Sequence, residues 1–242
     1  MKTLSILILS LFLFAFTCEK DNKAVPLNSL EADTIEAVEA AGIKAEDFKG
    51  NINKLLTLEM ASQVSGLPAN EAETKHSTVI IESLTYKWKS DRTRDVEITK
   101  GNPMKVPTPN SIELSWVKNT TLKQFKHDYH NPTAEEIKNA EAAMEQKAKE
   151  LQAEGKTTKE SADASVGIAK NSISKFSVEE VPNVGDYAVF VNSGIMGVSK
   201  RDIKVFYKGL SFTLSVDLSD DKIYNDKKSI ELAKMIVEQK LN

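Results

Sequence analysis

Val181-Pro182-Asn183-Val184-Gly185-Asp186-Tyr187-Ala188-Val189-Phe190 is the stretch whose reading decides the fold. Pro182 and Gly185-Asp186 carry turn chemistry, a fixed φ followed by a residue free to take positive φ, and they feed the strand that begins at Tyr187. Downstream, Ile203, Val205 and Tyr207 alternate along one strand, Lys208-Gly209 turns the chain, and Phe212, Leu214 and Val216 alternate on the return. That pattern predicts a tight antiparallel hairpin rather than the crossover of a parallel sheet.

Working outward, Leu84, Tyr86 and Trp88 alternate with Thr85 and Lys87, and Ile112, Leu114 and Trp116 alternate with Glu113 and Ser115. Each run has the period of two expected of a half-buried strand, and the two are expected to be sheet neighbours, with Trp88, Trp116 and Tyr86 in the core together with Phe125. Between them, Asp91 to Pro109 holds a possible short strand at Val96 to Ile98, the turn Lys100-Gly101-Asn102-Pro103, and Pro107 and Pro109. An excursion this long is either a binding loop or an extended hairpin tip.

Helical signals bracket these strands. Thr57 is placed to cap a helix that carries Leu58, Ala61 and Val64 on one face and stops at Gly66 and Pro68. Thr133-Ala134-Glu135-Glu136 forms a capping box, after which Ile137, Ala140, Met144, Ala148 and Leu151 make a narrow seam on an otherwise charged helix ending near Gly155. Such a stripe suits a helix laid on a sheet; as a coiled coil it would be short and poor in large residues. A second helix, about Lys159 to Lys170, carries Ala162, Val166 and Ala169 and is weakened by Gly167, and a last one is expected from about Asp226, burying Ile230, Ala233 and Val237. The predicted class is α+β, an antiparallel sheet covered by helices.

The amino terminus has a different character. Met1-Lys2 precedes an almost continuously apolar run, Leu4 to Thr17, and Cys18, the chain's single cysteine, follows at once. A charged start and a short greasy core describe a secretory signal, too short for the ~20 residues that span a bilayer. Ala15-Phe16-Thr17-Cys18 resembles the lipobox of bacterial lipoproteins, in which the cysteine becomes the acylated first residue of the mature chain. The alternative is ordinary cleavage near Ala15 or Thr17. Glu19-Lys20-Asp21-Asn22 resembles a short surface-export signal of one Gram-negative lineage and equally reads as a solvated linker. The expected organisation is a signal peptide over 1–17, a lipidated tether over 18–50 with a short helix at Leu30 to Ala41, and one α/β domain over 51–242.

From Leu55 to Leu241, the helix beginning Leu-Thr, the Pro-x-x-Gly-Asp-x-Ala turn and strand, the hairpin and the closing helix together resemble small envelope lipoproteins with a PsbP-like α/β/α sandwich. The resemblance implies that fold and a non-catalytic setting, and it carries no active site.

The chain holds 35 acidic residues against 32 lysines and arginines, a formal charge of −3, so no basic excess marks a nucleic-acid footprint. With Cys18 spent on lipid no disulfide is expected. No Gly-x-Ser-x-Gly elbow, phosphate loop or dinucleotide fingerprint occurs, and only His76, His127 and His130 could act as an imidazole base. His127 and His130 flank Asp128 and are weak candidates for part of a zinc or copper site, with surface histidines as the plainer reading. Asp217, Asp220, Asp221 and Asp226 could gather around calcium, but they lack the spacing of a calcium loop and read as a solvated, helix-capping segment. Asn119-Thr120-Thr121 matches a glycosylation sequon by chance.

The sequence therefore predicts a non-enzymatic lipoprotein of the cell envelope, on the periplasmic side or the surface of the outer membrane. It is held by acyl chains on Cys18, uses no cofactor, and binds or scaffolds another envelope component. A small-ligand pocket between the sheet and the charged helix, gated by Asp91 to Pro109, is the alternative, and metal binding through His127 and His130 is a third. Sequence leaves oligomeric state open.

Overall fold

A computed structural model describes residues 42–99, 102–192 and 201–242 of the chain. The expected signal peptide over 1–17, Cys18, the expected helix at Leu30 to Ala41 and the turn residues Lys100 and Gly101 lie outside the described residues. Nine strands are described: β1 (Glu73–Ser77), β2 (Ser83–Trp88), β3 (Thr93–Thr99), β4 (Asn102–Pro107), β5 (Asn110–Asn119), β6 (Ser177–Glu180), β7 (Tyr187–Asn192), β8 (Asp202–Tyr207) and β9 (Leu210–Asp217). The α-helices are α1 (Leu58–Ser65), α2 (Leu122–Asp128), α3 (Ala134–Ala153), α4 (Lys159–Lys175) and α5 (Lys222–Ile236). The fold is α+β with a mostly antiparallel sheet, as predicted.

Seven strands form one sheet in the order β1-β2-β5-β9-β8-β7-β6, and β3 and β4 pair with each other as a separate ribbon. The described chain divides into two compact units, a helical one over His130–Ser177 and one containing the sheet with α1, α2 and α5. In the helical unit, α3 and α4 pack on each other. The Thr133–Glu136 capping box is formed, and Lys170 reaches Glu145 at 2.7 Å. Helix α4 runs to Lys175, five residues beyond the predicted end, because Ile173 is buried and extends its apolar side.

In the sheet unit the predicted punctuation operates as chemistry. The Thr57 hydroxyl accepts the Met60 N–H at 3.2 Å, and Gly66 closes α1 at φ 72°. Lys208 and Gly209 both have positive φ, 45° and 82°, the turn geometry that matches the twist of β8 and β9. The Pro182–Asp186 turn places Asn183 and Gly185 in the left-handed region. A Cβ on Gly185 would lie 2.6 Å from the Phe206 carbonyl oxygen, so only glycine fits without a shift. The same carbonyl accepts the Asp186 N–H at 3.0 Å, while the Asp186 carboxylate accepts the Lys208 N–H at 2.7 Å. This turn is thereby stitched to the far end of the β8–β9 hairpin.

One face of the sheet presents Leu84, Tyr86, Trp88, Ile112, Leu114, Phe212, Leu214, Val216, Ile203 and Val205 to a core closed by α1 and α5. Residues Ile43, Ala45 and Phe48, ahead of the expected start of the domain, also pack against it. On the other face Phe125 of α2 is buried with Val189 and Phe206.

Two sequence expectations need correcting. Trp116 does not join Ile112 and Leu114 in the core: β5 carries a bulge between Ser115 and Lys118, Trp116 takes φ 55°, and the residue is 38% exposed. One extra residue breaks the period-two parity, and Val117 packs against the core instead. The last helix begins at Lys222 rather than near Asp226, because Asp221 caps it by accepting the Ile223 N–H at 2.8 Å. Its buried positions include Asn225, Ser229, Leu232, Ala233 and Ile236, with Ile230 only partly buried.

Candidate functional site

The apolar face is filled. Trp88 Nε1 donates to the Pro68 carbonyl at 2.9 Å and the Tyr86 hydroxyl to the Leu56 carbonyl at 3.0 Å, which fixes both rings beneath the segment carrying α1. Chemistry gathers instead on the opposite face.

Strand register lines up Thr85, Glu113, Ser215 and Asp202 in one row across β2, β5, β9 and β8, and Ser83, Ser115, Thr213 and Lys204 in the next. Thr85, Ser115, Thr213 and Ser215 are all buried. Burial without a partner costs a hydroxyl its water bonds, so each needs a bond here. The Thr85 hydroxyl donates to Glu113 at 3.2 Å and Lys204 Nζ to Thr213 Oγ1 at 3.1 Å. Ser215 Oγ is buried with no hydrogen-bond partner among the described residues.

Lys204 brings a cation to the middle of this face. Burial lowers the pKa of its amine from the ordinary 10.5, and Asp202, 3.6 Å away, pulls in the opposite direction. Tyr129, whose ring lies 5.7 Å from that amine, is pushed up to about 12, first by burial and then by Asp128 and Asp202. A largely buried amine beside hydroxyls is suited to hold a polar group by hydrogen bonds.

One end of the sheet is built from ion pairs. Arg92 donates to the Asp217 carboxylate and carbonyl, both at 2.9 Å, to Asn110 at 3.0 Å and to the Pro109 carbonyl at 3.1 Å, while Arg94 reaches Asp217 at 3.0 Å. These arginines moor the root of the Asp91–Pro109 excursion, which is the β3–β4 ribbon. Beside that root, Lys89, Ser90, Asp91, Pro107 and Pro109 line a shallow cleft open to solvent.

The remaining arginine, Arg201, grips Asp226 through Nε at 3.1 Å and Nη2 at 2.6 Å, also pairs with Glu179, and lies 4.2 Å over the Phe190 ring. The chain has three arginines in all, and each holds a carboxylate with its planar fork, a task for which lysine is a poor substitute. This arrangement went unread in the sequence, where Arg92 and Arg94 two apart in an extended segment were the available signal.

The predicted site residues are thereby placed. Asp217 and Asp226 are not solvated as expected but paired to arginine, with side chains 7% and 14% exposed. Asp220 also meets Arg92, and Asp221 caps α5. His127 lies 3.7 Å from Asp128, His130 lies 3.1 Å from the capping-box carboxylate of Glu136, and His76 lies 2.8 Å from Glu82. His127 and His130 fall in different units. Among the described residues no group of three or more His, Cys, Asp or Glu stands ready to hold a metal ion.

Asn119, of the sequon, has its amide engaged: Oδ1 accepts the Ala45 N–H at 2.8 Å and Nδ2 donates to the Ile43 and Gly209 carbonyls at 2.8 and 3.1 Å. No helix among the described residues is long and apolar enough to cross a membrane. The chain matches no family model, no curated protein and no solved structure.

Proposed function

We propose that this protein is a non-catalytic lipoprotein of the cell envelope, anchored through Cys18, that binds or scaffolds another envelope component. The observation that carries the reading is the charged start and apolar run ending at the chain's single cysteine. Several acyl chains there, at ~0.8 kcal/mol per buried methylene, would hold the domain stably on a membrane. The fold is consistent with this role, because its arginines and several of its carboxylates are engaged in holding strands and loops together. Radiolabelled palmitate should enter the wild-type chain and not Cys18→Ala; equal labelling of the two rejects the anchor.

We read the sheet unit as a PsbP-like sandwich. Helices on both sides of one antiparallel sheet, α1 and α5 on one and α2 on the other, support this, as does the Pro182–Asp186 turn feeding β7.

A second reading is favoured by one observation. The buried, unpartnered hydroxyl of Ser215, in the row beside Lys204 and Thr213, suits a small polar ligand on that face. Native mass spectrometry of protein purified from its host would then show a stoichiometric adduct, and a bare mass would reject it. Metal binding through His127 and His130 ranks third; elemental analysis without stoichiometric zinc or copper disposes of it.

A further inference from the structure

At the end of the sheet opposite the Arg92 and Arg94 ion pairs, large apolar side chains stand exposed. The β1–β2 turn follows the last pair of those strands, Ser77 with Ser83, and holds Val79 and Ile80, which are 89% and 91% exposed. No other large apolar side chain among the described residues is as open to water. Ser83 in turn pairs with Ser115, so the root of this turn stands one strand spacing, about 5 Å, from the start of the bulge that exposes Trp116. At the same end Thr120 N–H bonds to the Gly209 carbonyl at 3.0 Å, and α2 begins with exposed Leu122.

A bulky aromatic residue in the left-handed region is held against its preference, and such strain collects at working sites. Scattered exposed apolar residues need no explanation, but four at one end of one sheet do.

We propose that this end, carrying Val79, Ile80, Trp116 and Leu122, rests on a lipid bilayer, with the aliphatic turn inserted among acyl chains and the indole at the headgroup level. Aliphatic side chains gain from leaving water, and tryptophan favours the membrane interface. The choice of a bilayer as occupant rests on the lipoprotein reading and on where the chain enters the domain. Ile43 and Ala45 are fastened to Asn119, and Gly50 N–H bonds to Glu82 at 3.0 Å beside the β1–β2 turn. The segment leading from Cys18 therefore joins the domain at the very end that bears the apolar residues.

The stretch from Cys18 to Ile43 can span at most roughly 85 Å fully extended, so an acylated Cys18 keeps this end within reach of the membrane and raises its effective concentration there. Charges of both signs, Lys44, Glu46, Asp47 and Lys49, flank the entry. Apolar contact rather than lipid charge then drives the docking, which should tolerate salt.

The test separates docking from acylation. The mature chain, cut ahead of position 18 and carrying Cys18→Ala, is mixed with phosphatidylethanolamine–phosphatidylglycerol vesicles. It should co-sediment with them, and its tryptophan emission should move to the blue. Trp88, buried and bonded to Pro68, gives a constant background, so Trp116→Phe should abolish the shift. Val79→Ser with Ile80→Ser, on a turn already open to solvent, should keep the wild-type circular dichroism spectrum and lower vesicle partitioning about tenfold or more.

No co-sedimentation and no shift overturns the proposal even where palmitate labels the full chain. Equal partitioning of the double variant overturns it as well, as does a blue shift that arises from self-association without lipid. Docking of this unacylated chain together with a failed palmitate experiment would leave the bilayer contact standing and remove the anchor.

Discussion

The two faces of the sheet share their strands and differ in what burial asks of them. Along β9, Leu210, Phe212, Leu214 and Val216 alternate with Ser211, Thr213, Ser215 and Asp217, and all eight are buried. On the first face burial is itself the stabilising event, because each apolar side chain leaves water without losing a bond. On the second it is a cost to be offset residue by residue: Asp217 by two arginines, Thr213 by Lys204, Ser211 by donating to the Lys118 carbonyl at 3.2 Å, and Ser215 by nothing described. Alternation reports the polarity of a face, not its exposure.

The comparison is sharpest at neighbouring positions. Phe212→Ala should cost about 3–5 kcal/mol, from lost transfer energy and a cavity beneath α5. Urea unfolding with an unchanged slope would read this directly, and a loss under 1 kcal/mol would mean that the apolar face is loosely packed. On the polar face Asp217→Ala should approach that loss at about 3 kcal/mol, because it removes the buried carboxylate that Arg92 and Arg94 both hold. Proteolysis at the β3–β4 ribbon should rise in parallel. Unchanged stability and cleavage would show that the ribbon is moored by something else.

Gly185→Ala tests the stitch between the turn and the hairpin. Positive φ together with the clash against the Phe206 carbonyl should cost about 2 kcal/mol, whereas Gly167→Ala in α4, with open space around it, should be neutral or stabilising. Thermal melting of the two variants side by side would show it.

How far the sequence reached follows the same division. The hairpin at Lys208-Gly209, the caps at Thr57 and Thr133 and the apolar face were legible because each depends on residues within a few positions of one another. The sequence also supplied both ends of the ion-pair network, but Arg92 and Asp217 meet only when β5 lies beside β9, so a run of acids looked solvated. Trp116 was misplaced because a bulge is a one-residue event that a period-two pattern has no means to announce. The start of α5 was set late because Ile223 and Tyr224 are exposed, so the apolar pattern begins well after the Asp221 cap.

Smaller effects probe the polar face alone. Burial holds the Lys204 amine below 10.5, so between its folded value and 10.5 the unfolded chain carries a proton that the folded chain lacks. Stability from this group therefore rises with pH through that window. Lys204→Met should remove the rise, and the gap between variant and wild type should close in the wild type's favour as pH climbs toward 10.5. Equilibrium unfolding across that range reads the difference; parallel curves would mean that the amine is solvated as an ordinary lysine.

The least perturbing change is the most discriminating. Removing a hydroxyl that has a partner leaves that partner unsatisfied and costs about 1–3 kcal/mol, whereas removing one without a partner deletes only a desolvation penalty. Ser215 Oγ is of the second kind among the described residues, so Ser215→Ala should leave the urea midpoint unchanged or raise it slightly. Thr213→Val, which takes the acceptor from Lys204, should lower it. A loss of 1 kcal/mol or more in Ser215→Ala would mean that a bound water or a small polar ligand completes the row. The two faces would then differ in purpose as well as chemistry, one holding the fold together and the other holding something that the chain itself does not supply.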